Sequence, residues 1–386
     1  MSEPIKDLKE EKKEDKHEDK AAELTKYKTA ADIVHNATKK IIELAVEGAK
    51  VIDLCIEGDK LIEQGTAAVY NKGGKGGKIS KGIELSDPQS SLILAKDDVV
   101  KIHLGAHIDG FASISAETII VGATEQEPAT GRRADVVKAA WHAAELAMRL
   151  IKVDNKNWGV TENVNKIVSA WDCKAVEGML SCQHSKNVID GKKRIILAPT
   201  QEQRSGLDTV TFAEGEVYGV DILVSSAEDG KAGAREEETR TTVYQRVSDV
   251  TYLLKMKTSR AVFSEVQKKA GAFPFNVRML DDEKRGRMGL QEATQHGLVR
   301  SYEVLYTPAN TFVAQFHFTI ALLPGGPSLI SHPPIWYKPE LVKTEKELED
   351  TDLQETLLKK LRESKKSKKK KTKAEETEVG ETEKVE

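Results

Sequence analysis

The chain has 386 residues, of which 39% are hydrophobic and 31% are charged, and its formal net charge is -3. This length and apolar content are enough for a sizeable core in one large domain or two, and the near-neutral balance excludes any inference of a partner from global charge alone. No apolar run approaches the roughly 20 residues of a membrane helix, and no hydrophobic signal region follows Met1. We therefore expect no membrane association. The three cysteines, Cys55, Cys173 and Cys182, show no pairing pattern, which predicts a reducing cytosolic or nuclear compartment.

The N-terminal part of the chain predicts a charged arm followed by two helices. Residues 1–22 are mostly charged and cannot offset the entropy of ordering, which indicates a disordered arm. Apolar residues recur at threes and fours from Glu23 to Gly48 and again from Ile52 to Tyr70, as in amphipathic helices. The following KGGKGGK of residues 72–78 lacks the Gly-Lys-Ser/Thr ending of a phosphate-binding loop, so we interpret it as a basic surface loop.

A hairpin follows, and we expect it to organise the fold. Residues 101–118 have the sequence KIHLGAHIDGFASISAET, in which Asp109-Gly110 separates two apolar runs. Asp-Gly between alternating apolar residues is the strongest short-range hairpin signal, because both turn positions take positive φ. The sequence therefore predicts two buried strands that meet at this turn.

The rest of the chain predicts further helices and strands of one α+β domain. Helices are predicted at Gly131–Lys152 and Val160–Trp171, and a strand at Val217–Ser226. A small helical insertion is predicted over about residues 245–305, with Phe263–Val299 as two helices separated by Pro274, and strands return at Val304–Tyr306 and Thr311–Leu323. The globular domain, residues 23–340, is then complete, and residues 341–386 form a helix at Glu345–Arg362 and a disordered Lys-rich tail. The repeated order of helices and strands suggests a duplicated architecture.

Several long motifs carry a family resemblance. They are TKYKTAADI (25–33), DVVKIHLGAHIDGF (98–111), TGRRADVVKAA (130–140), EGMLS (177–181), NVIDGKKRII (187–196), EVYGVDILVSS (216–226), LKMKTSRAVFSEV (254–266) and FVAQFHFTI (312–320). The chain resembles the proliferation-associated protein branch of the methionine-aminopeptidase-like, or pita-bread, family. This resemblance implies a pita-bread (creatinase-like) α+β fold with a small helical insertion as in type II enzymes. It also implies the partners of that branch, which includes a receptor-binding, RNA-binding, ribosome-associated member and a fungal curved-DNA-binding member.

The resemblance also exposes a shortened segment. Between Ile83 and Lys96 the chain has only ELSDPQSSLILA, where family members carry a longer stretch with a substrate-facing His. We therefore expect one strand and that His to be absent, either as a real feature or as an error in the predicted gene.

The resemblance implies a degenerate metal site. Active members of the family hold two divalent metals through two Asp, one His and two Glu, and the metals activate a water. The matching positions here are His103, Ile114, Ser181 or Cys182, Asp221 and His317, so one carboxylate remains. We predict no cofactor and no catalysis.

Two enzymatic alternatives remain open at this stage. His103, Asp221 and His317 could hold a single metal with Cys182 as a fourth ligand, although a hydrogen-bonded polar remnant is the favoured interpretation. Ser181 lacks the G-x-S-x-G elbow of a serine nucleophile. His107 and His184 are predicted to be surface or loop residues.

Basic residues point to nucleic acid. The tail contains Lys365, Lys366, Lys368, Lys369, Lys370, Lys371 and Lys373, and the insertion contributes Lys255, Lys257, Arg260, Lys268 and Lys269, with Lys284, Arg285 and Arg287 nearby. Such clusters bind phosphates in a salt-dependent way, although the tail could equally serve as a solubilising or nuclear-localisation segment. No aromatic-interleaved strand suggests base-specific readout.

Together these features predict a monomeric, non-catalytic protein that binds ribosomal RNA or the ribosome, with curved DNA as a related ligand. We expect it in the nucleus, nucleolus and cytoplasm, with a role in ribosome biogenesis, translation or growth control. A metal-dependent aminopeptidase with an atypical site and a protein-protein adaptor are the alternatives.

Overall fold

The computed structural model describes residues 7–69, 92–234 and 241–362, with side chains of the first helix from residue 20 onward. The α-helices of this part are α1 (Asp7–Leu44), α2 (Val51–Ala68), α3 (Gly131–Leu150), α4 (Asn157–Ser169), α5 (Gln201–Gly206), α6 (Lys257–Lys269), α7 (Glu283–Gln295) and α8 (Thr351–Leu358). The strands are β1 (Val99–Ile108), β2 (Phe111–Ile120), β3 (Lys174–Ala175), β4 (Leu180–His184), β5 (Arg194–Ile196), β6 (Val217–Ser225), β7 (Gly233–Ala234), β8 (Val243–Arg246), β9 (Pro274–Asn276), β10 (Val299–Ser301), β11 (Leu305–Tyr306), β12 (Val313–Leu323) and β13 (Gly326–Leu329).

One antiparallel sheet forms the centre of the molecule. Its strand order is β1-β2-β12-β6-β4-β5, with β13 added to β12 and β3 added to β6. The predicted hairpin is confirmed, since β1 pairs with β2 and the turn residues Asp109 and Gly110 have φ of 51° and 89°. Among the described strands β1 is an edge strand. The shortened segment and the KGGKGGK loop lie mainly or wholly outside the described residues, so both predictions stay open.

Two threonines join the halves of the sheet between β2 and β12. The strands share the backbone pair Ala116 and His317. Two residues further along each strand, the Thr118 hydroxyl accepts from the Gln315 N–H at 2.7 Å and donates to the Gln315 carbonyl at 2.9 Å. The Thr319 hydroxyl does the same with the N–H and carbonyl of Ile114, at 3.0 and 3.1 Å. This symmetric seam agrees with a duplicated architecture.

Helix pairs cover one face of the sheet. Helices α1 and α2 pack against β1 and β2 around the buried Ile41, Ile62 and Leu104. Helix α3 packs against β12 and β6, where its six fully buried alanines allow close approach, and α4 packs against α3, β5 and β3. The polar face is the opposite side of the sheet, and it carries His103, His317 and Asp221.

The predicted helices are present with small shifts in their bounds, except at the N-terminus. Helix α1 begins at Asp7, not at Glu23, so the charged residues 7–22 continue the helix and the prediction of a disordered arm is wrong for them. Charged side chains have good helix propensity, and the apolar stripe that begins at Leu24 and Tyr27 anchors the helix downstream.

The insertion lies between β6 and β12 and is mixed α/β. Helices α6 and α7 pack on a three-stranded sheet of order β10-β8-β9 around their own core, which includes Val266, Phe275 and Leu290. The predicted helix over Phe263–Val299 is therefore interrupted by a strand, because Pro274 begins β9 rather than merely separating two helices.

The C-terminal segment is part of the globular domain. Val342 and Leu353 are buried in the core around α3, and Leu357 and Leu361 pack on it, so the predicted domain end at residue 340 is too early. Helix α8 begins only at Thr351, later than the predicted Glu345, because the Asp350 side chain caps the Leu353 N–H. In the described part of the chain no helix is both long and apolar enough to cross a lipid bilayer.

Candidate functional site

The structure brings three of the predicted metal-site residues into one row. The backbone register places His103 beside Ala116, Ala116 beside His317, and His317 beside Asp221, across four neighbouring strands. Side chains at paired positions lie on the same side of a sheet, so this row crosses the polar face. Ile114 precedes Ala116 by two residues and lies on the same face.

The three polar side chains are close together but weakly connected. The His103 and His317 ring centroids are 5.1 Å apart, and His317 Nδ1 lies 3.7 Å from Asp221 Oδ1. The Asp221 carboxylate instead accepts a 2.8 Å hydrogen bond from Gln315 Nε2. Within the described residues, neither ring nitrogen of His317 has a hydrogen-bond partner.

Burial disfavours the charged form of His317 in this row. It lowers the pKa of His317 well below the ordinary value, and the neighbouring His103 and His184 lower the pKa further. His317 is therefore neutral at pH 7, and Asp221 is the one carboxylate of the row. Burial also raises the pKa of the Cys182 thiol to about 11, so this sulfur is protonated and a poor metal ligand.

These residues do not fit a pair of divalent metals. A two-metal centre needs negative oxygen ligands that bridge cations about 3.5–4 Å apart, and Ile114 offers no ligand. Among the described residues, no three His, Cys, Asp or Glu side chains are arranged to hold a metal ion. No catalytic step through a metal follows from this arrangement.

Ser181 lies beside the row but serves the backbone. Its hydroxyl accepts a 2.8 Å hydrogen bond from the Asp221 N–H and donates to the Asp221 carbonyl oxygen at 3.4 Å. Because Ser181 is 1% exposed, its hydroxyl has a structural role at the junction of β4 and β6.

Two histidines are buried, contrary to the sequence prediction. His107 stacks on Phe273 of the insertion with ring centroids 4.2 Å apart, and His184 packs over Gly219. Burial lowers the pKa of each imidazole to about 4. The prediction of surface positions is wrong because neither local pattern shows that the insertion and β6 cover these rings.

The insertion leaves only some of its basic residues available to a partner. Lys255 and Lys257 are exposed at the start of α6. Lys269 is occupied, since its ammonium contacts Glu265 at 2.7 Å and Asp281 at 2.6 Å. Arg260 donates to the carbonyls of Leu254 and Lys255, which ties part of its guanidinium to the loop. The structure thus weakens the assignment of Lys269.

The N-terminus of α6 is also filled from within. The Glu292 carboxylate accepts from the backbone N–H groups of Lys255 at 2.7 Å and Met256 at 3.3 Å. A phosphate would therefore meet the Glu292 carboxylate beside this helix terminus. Lys255, Lys257 and Lys268 are the exposed lysines among the predicted residues of the insertion. The seven tail lysines lie outside the described residues.

Sequence reasoning missed the polar residues that support the row. Gln315 holds Asp221, and Thr118 and Thr319 hold the seam. Glu117 is 3% exposed on the helix-covered side and accepts from the backbone N–H groups of Ile335, Trp336 and Tyr337. The sequence offered one signal for these residues, namely that they are polar and lie in otherwise apolar strands. This signal does not identify their hydrogen-bond partners.

The fold defines a protein of the methionine-aminopeptidase-like class, and Asp221 is the one carboxylate among the predicted metal-ligand positions. A family model for metallopeptidase family M24 matches residues 25–241, and the chain belongs to this family. It is 42% identical over 344 residues to the curved DNA-binding protein of Schizosaccharomyces pombe, covering 85% of this chain and 87% of that protein.

Two further comparisons refine the placement. The chain is 38% identical over 322 residues to ERBB-3 binding protein 1 of Arabidopsis thaliana, covering 80% of both chains. A solved structure of a thermophilic Arx1 superimposes with a TM-score of 0.79 at 32% identity, covering 88% of this chain and 98% of that one. The predicted pita-bread fold and the proliferation-associated branch are thus confirmed.

Proposed function

We propose that this chain is a non-catalytic member of family M24 that binds structured nucleic acid, chiefly ribosomal RNA on the ribosome, with curved duplex DNA as a second ligand. The absence of catalysis rests on the row across the polar face, where Ile114 offers no ligand, His317 is neutral and Asp221 is the one carboxylate. Two dications facing neutral groups in a buried site would be costly.

Charge and kinship support the nucleic-acid part of this proposal. Lys255, Lys257 and Lys268 are exposed on the insertion, and seven lysines lie between residues 365 and 373. A relative of 42% identity carries the name curved DNA-binding protein. Binding of this kind reads shape and phosphates, so it weakens as salt displaces the released counterions.

Co-sedimentation with purified ribosomes across a salt series tests this proposal. We compare the full chain with a chain that ends at Arg362, which keeps the C-terminal residues that the structure describes, and with a control that ends at Lys373, which keeps the lysines. Loss of binding in the first truncation and retention in the control are expected, with a steeper salt dependence for the longer chains. Absence of the full chain from the pellet at low salt would refute ribosome binding.

The insertion is tested by a matched pair of triple variants. Lys255→Ala, Lys257→Ala and Lys268→Ala together remove three exposed charges and are expected to weaken ribosome and curved-DNA binding at least fivefold. The control removes Lys28, Lys39 and Lys152, which are equally exposed elsewhere, and is expected to change binding less than twofold. If the two triple variants weakened binding equally, binding would depend on the net charge of the chain and not on the insertion.

Two other functions have specific support. An aminopeptidase would need His103, Asp221 and His317 to hold one metal, and metal analysis together with release of Met from a short peptide is expected to be negative. The name of the Arabidopsis relative, ERBB-3 binding protein 1, favours a protein partner. Co-purification of a protein that survives nuclease digestion would support an adaptor.

We also propose that the chain is a monomer in the nucleus, nucleolus and cytoplasm, with a role in ribosome biogenesis, translation or growth control. Imaging of the tagged chain, with and without residues 363–373, tests whether the lysines direct it to the nucleus. Light scattering tests the monomer.

A further inference from the structure

A cavity of about 170 Å³ lies on the helix-covered face, between α1 and α3 and above the seam of the sheet. Within the row of His103, His317 and Asp221, His317 is the one residue that also lines this cavity. Apolar side chains form its walls, among them Val34, Trp141, Met148, Phe316 and Leu329. An apolar cavity of about 150 Å³ is large enough to hold benzene, so this one has room for a single aromatic ring system.

Two imidazoles form the rim of the cavity. The His35 and His332 ring centroids are 4.3 Å apart with an interplanar angle of 37°, and His332 Nε2 lies 2.7 Å from Asp32 Oδ1. Burial lowers the pKa of His35, and the adjacent His332 lowers it further, so His35 is neutral at pH 7. The side chain of His332 is 40% exposed, which places the entrance beside it.

The lining offers no cation to an anionic ligand. Glu117 and Glu145 line the cavity, and no Lys or Arg does so within the described residues. The Glu117 carboxylate accepts from three backbone N–H groups, and Glu145 is paired with Arg149. The Ser113 hydroxyl at the floor is buried and has no hydrogen-bond partner in the described structure. A phosphate or carboxylate would find no cationic partner here, whereas a donor group would meet acceptor oxygens.

We propose that this cavity binds a small uncharged aromatic molecule that carries one hydrogen-bond donor, of the size of phenol or indole. The ring occupies the apolar space between α1 and α3 and is bordered by His35 and His332. The donor is directed to the oxygen-rich lining near Ser113 and Glu117. This site is independent of nucleic-acid binding.

The test uses the full chain with phenol and indole as probes and benzoate as an anionic control of similar size. Ligand-observed NMR and calorimetry at pH 7.5 are expected to show saturable binding of phenol or indole, with benzoate at least tenfold weaker. Bound indole is expected to slow hydrogen exchange in residues 31–38 and 141–148. No saturable binding of either probe up to 5 mM, or equal binding of benzoate, would overturn the proposal.

A filling variant locates the site. Ser115 lines the cavity and is half-buried, so Ser115→Phe is expected to weaken indole binding at least tenfold. The control Ser169→Phe places the same side chain on the exposed end of α4 and is expected to change binding less than twofold. If Ser115→Phe does not fold, the location of the site is tested by the slowed hydrogen exchange of residues 31–38 and 141–148 in the unaltered chain with indole bound. Protection elsewhere, or undiminished binding in a folded Ser115→Phe, would place the probe at another site.

Discussion

At the scale of single residues, the polar face is marked by histidines that are buried and carry no charge. His107 and His184 are 8% and 5% exposed, and both are neutral at pH 7. Their role differs from that of catalytic histidines, whose pKa lies near the working pH. Here the imidazoles fill space beside Phe273 and Gly219, and their titration is linked to folding.

The stability of the protein is expected to fall between pH 6.5 and 4. In this window the unfolded histidines bind protons that the folded ones, with a pKa of about 4, do not bind. The free energy of unfolding therefore decreases as the pH falls, by up to roughly 3 kcal/mol for each histidine, and is independent of these groups above pH 7. Urea unfolding between pH 7.5 and 4.5 measures the slope.

His107→Phe provides the control for this slope, because the ring stack on Phe273 is kept and the titrating group is removed. The variant is expected to show a smaller loss between pH 6.5 and 4.5 than the parent chain. If the free energy of unfolding had the same pH dependence in the variant and the parent chain, the acid sensitivity would come from groups other than His107.

Gly219 is expected to tolerate no side chain. A Cβ at this position would lie 2.2 Å from His184 Nε2, and His184 is packed too tightly to move away freely. Gly219→Ala is expected to destabilise the fold by about 1–3 kcal/mol, as measured by urea unfolding. Gly206→Ala is the matched control, since nothing lies within 4 Å of its Cβ position. A cost similar to that of the control would contradict the predicted clash.

At the scale of elements, the seam between β2 and β12 decides how the two halves of the sheet join. Ordinary ladder bonds would draw the strands together along their whole length, whereas the register contains the single pair Ala116 and His317. The hydroxyls of Thr118 and Thr319 replace the missing bonds on either side. These side chains satisfy backbone groups that would otherwise be buried without partners.

Thr118→Val and Thr319→Val are expected to destabilise the protein by about 1–3 kcal/mol each, because each change removes two hydrogen bonds to backbone groups of the seam. After the second change the Ile114 carbonyl keeps one partner, the Ser331 hydroxyl at 3.3 Å. Amide hydrogen exchange at Gln315 is expected to accelerate in the first variant and at Ile114 in the second. Thr29→Val, on the exposed face of α1, controls for the shape of valine. Unchanged exchange at both amides would show that the hydroxyls do not hold the seam.

At the scale of the whole molecule, the C-terminal segment ties the helices of the second half together. Asp135 on α3 accepts from Thr344 at 2.6 Å and pairs with Lys346 at 2.9 Å. Val342, Leu353, Leu357 and Leu361 then pack on the same core. This segment is therefore structural, and only the residues after it remain for a separate binding role.

A chain that ends at residue 340 is expected to lose roughly 3–6 kcal/mol of stability. It gives up two buried apolar side chains, Val342 and Leu353, and four partly buried ones, Leu341, Leu348, Leu357 and Leu361. A chain that ends at Arg362 is expected to match the full chain within about 0.5 kcal/mol. Thermal and urea unfolding of the three chains measure the difference. Equal stability of all three would refute the structural role.

The sequence by itself determined the main hairpin, most helix positions and the family, and it predicted the loss of metal ligands. These features depend on local chemistry, since Asp109-Gly110 favours positive φ, the alanine stripe of α3 follows the helical period, and Ile114 cannot ligate a metal in any fold. The length of α1, the strand at Pro274 and the packed segment after residue 340 were missed, because contacts with distant residues override local propensity there.

Only the tertiary structure decided which polar groups meet and which stay neutral. Gln315 reaches Asp221, Lys269 is occupied by Glu265 and Asp281, and His107 and His184 are covered by elements far away in the chain. The cavity between α1 and α3 has the same origin, since it is lined by α1, β2, α3, β12, residues 329–335 and Leu361. The pKa of a group and the availability of a charge depend on burial and on neighbours in space, and the linear sequence lists neither.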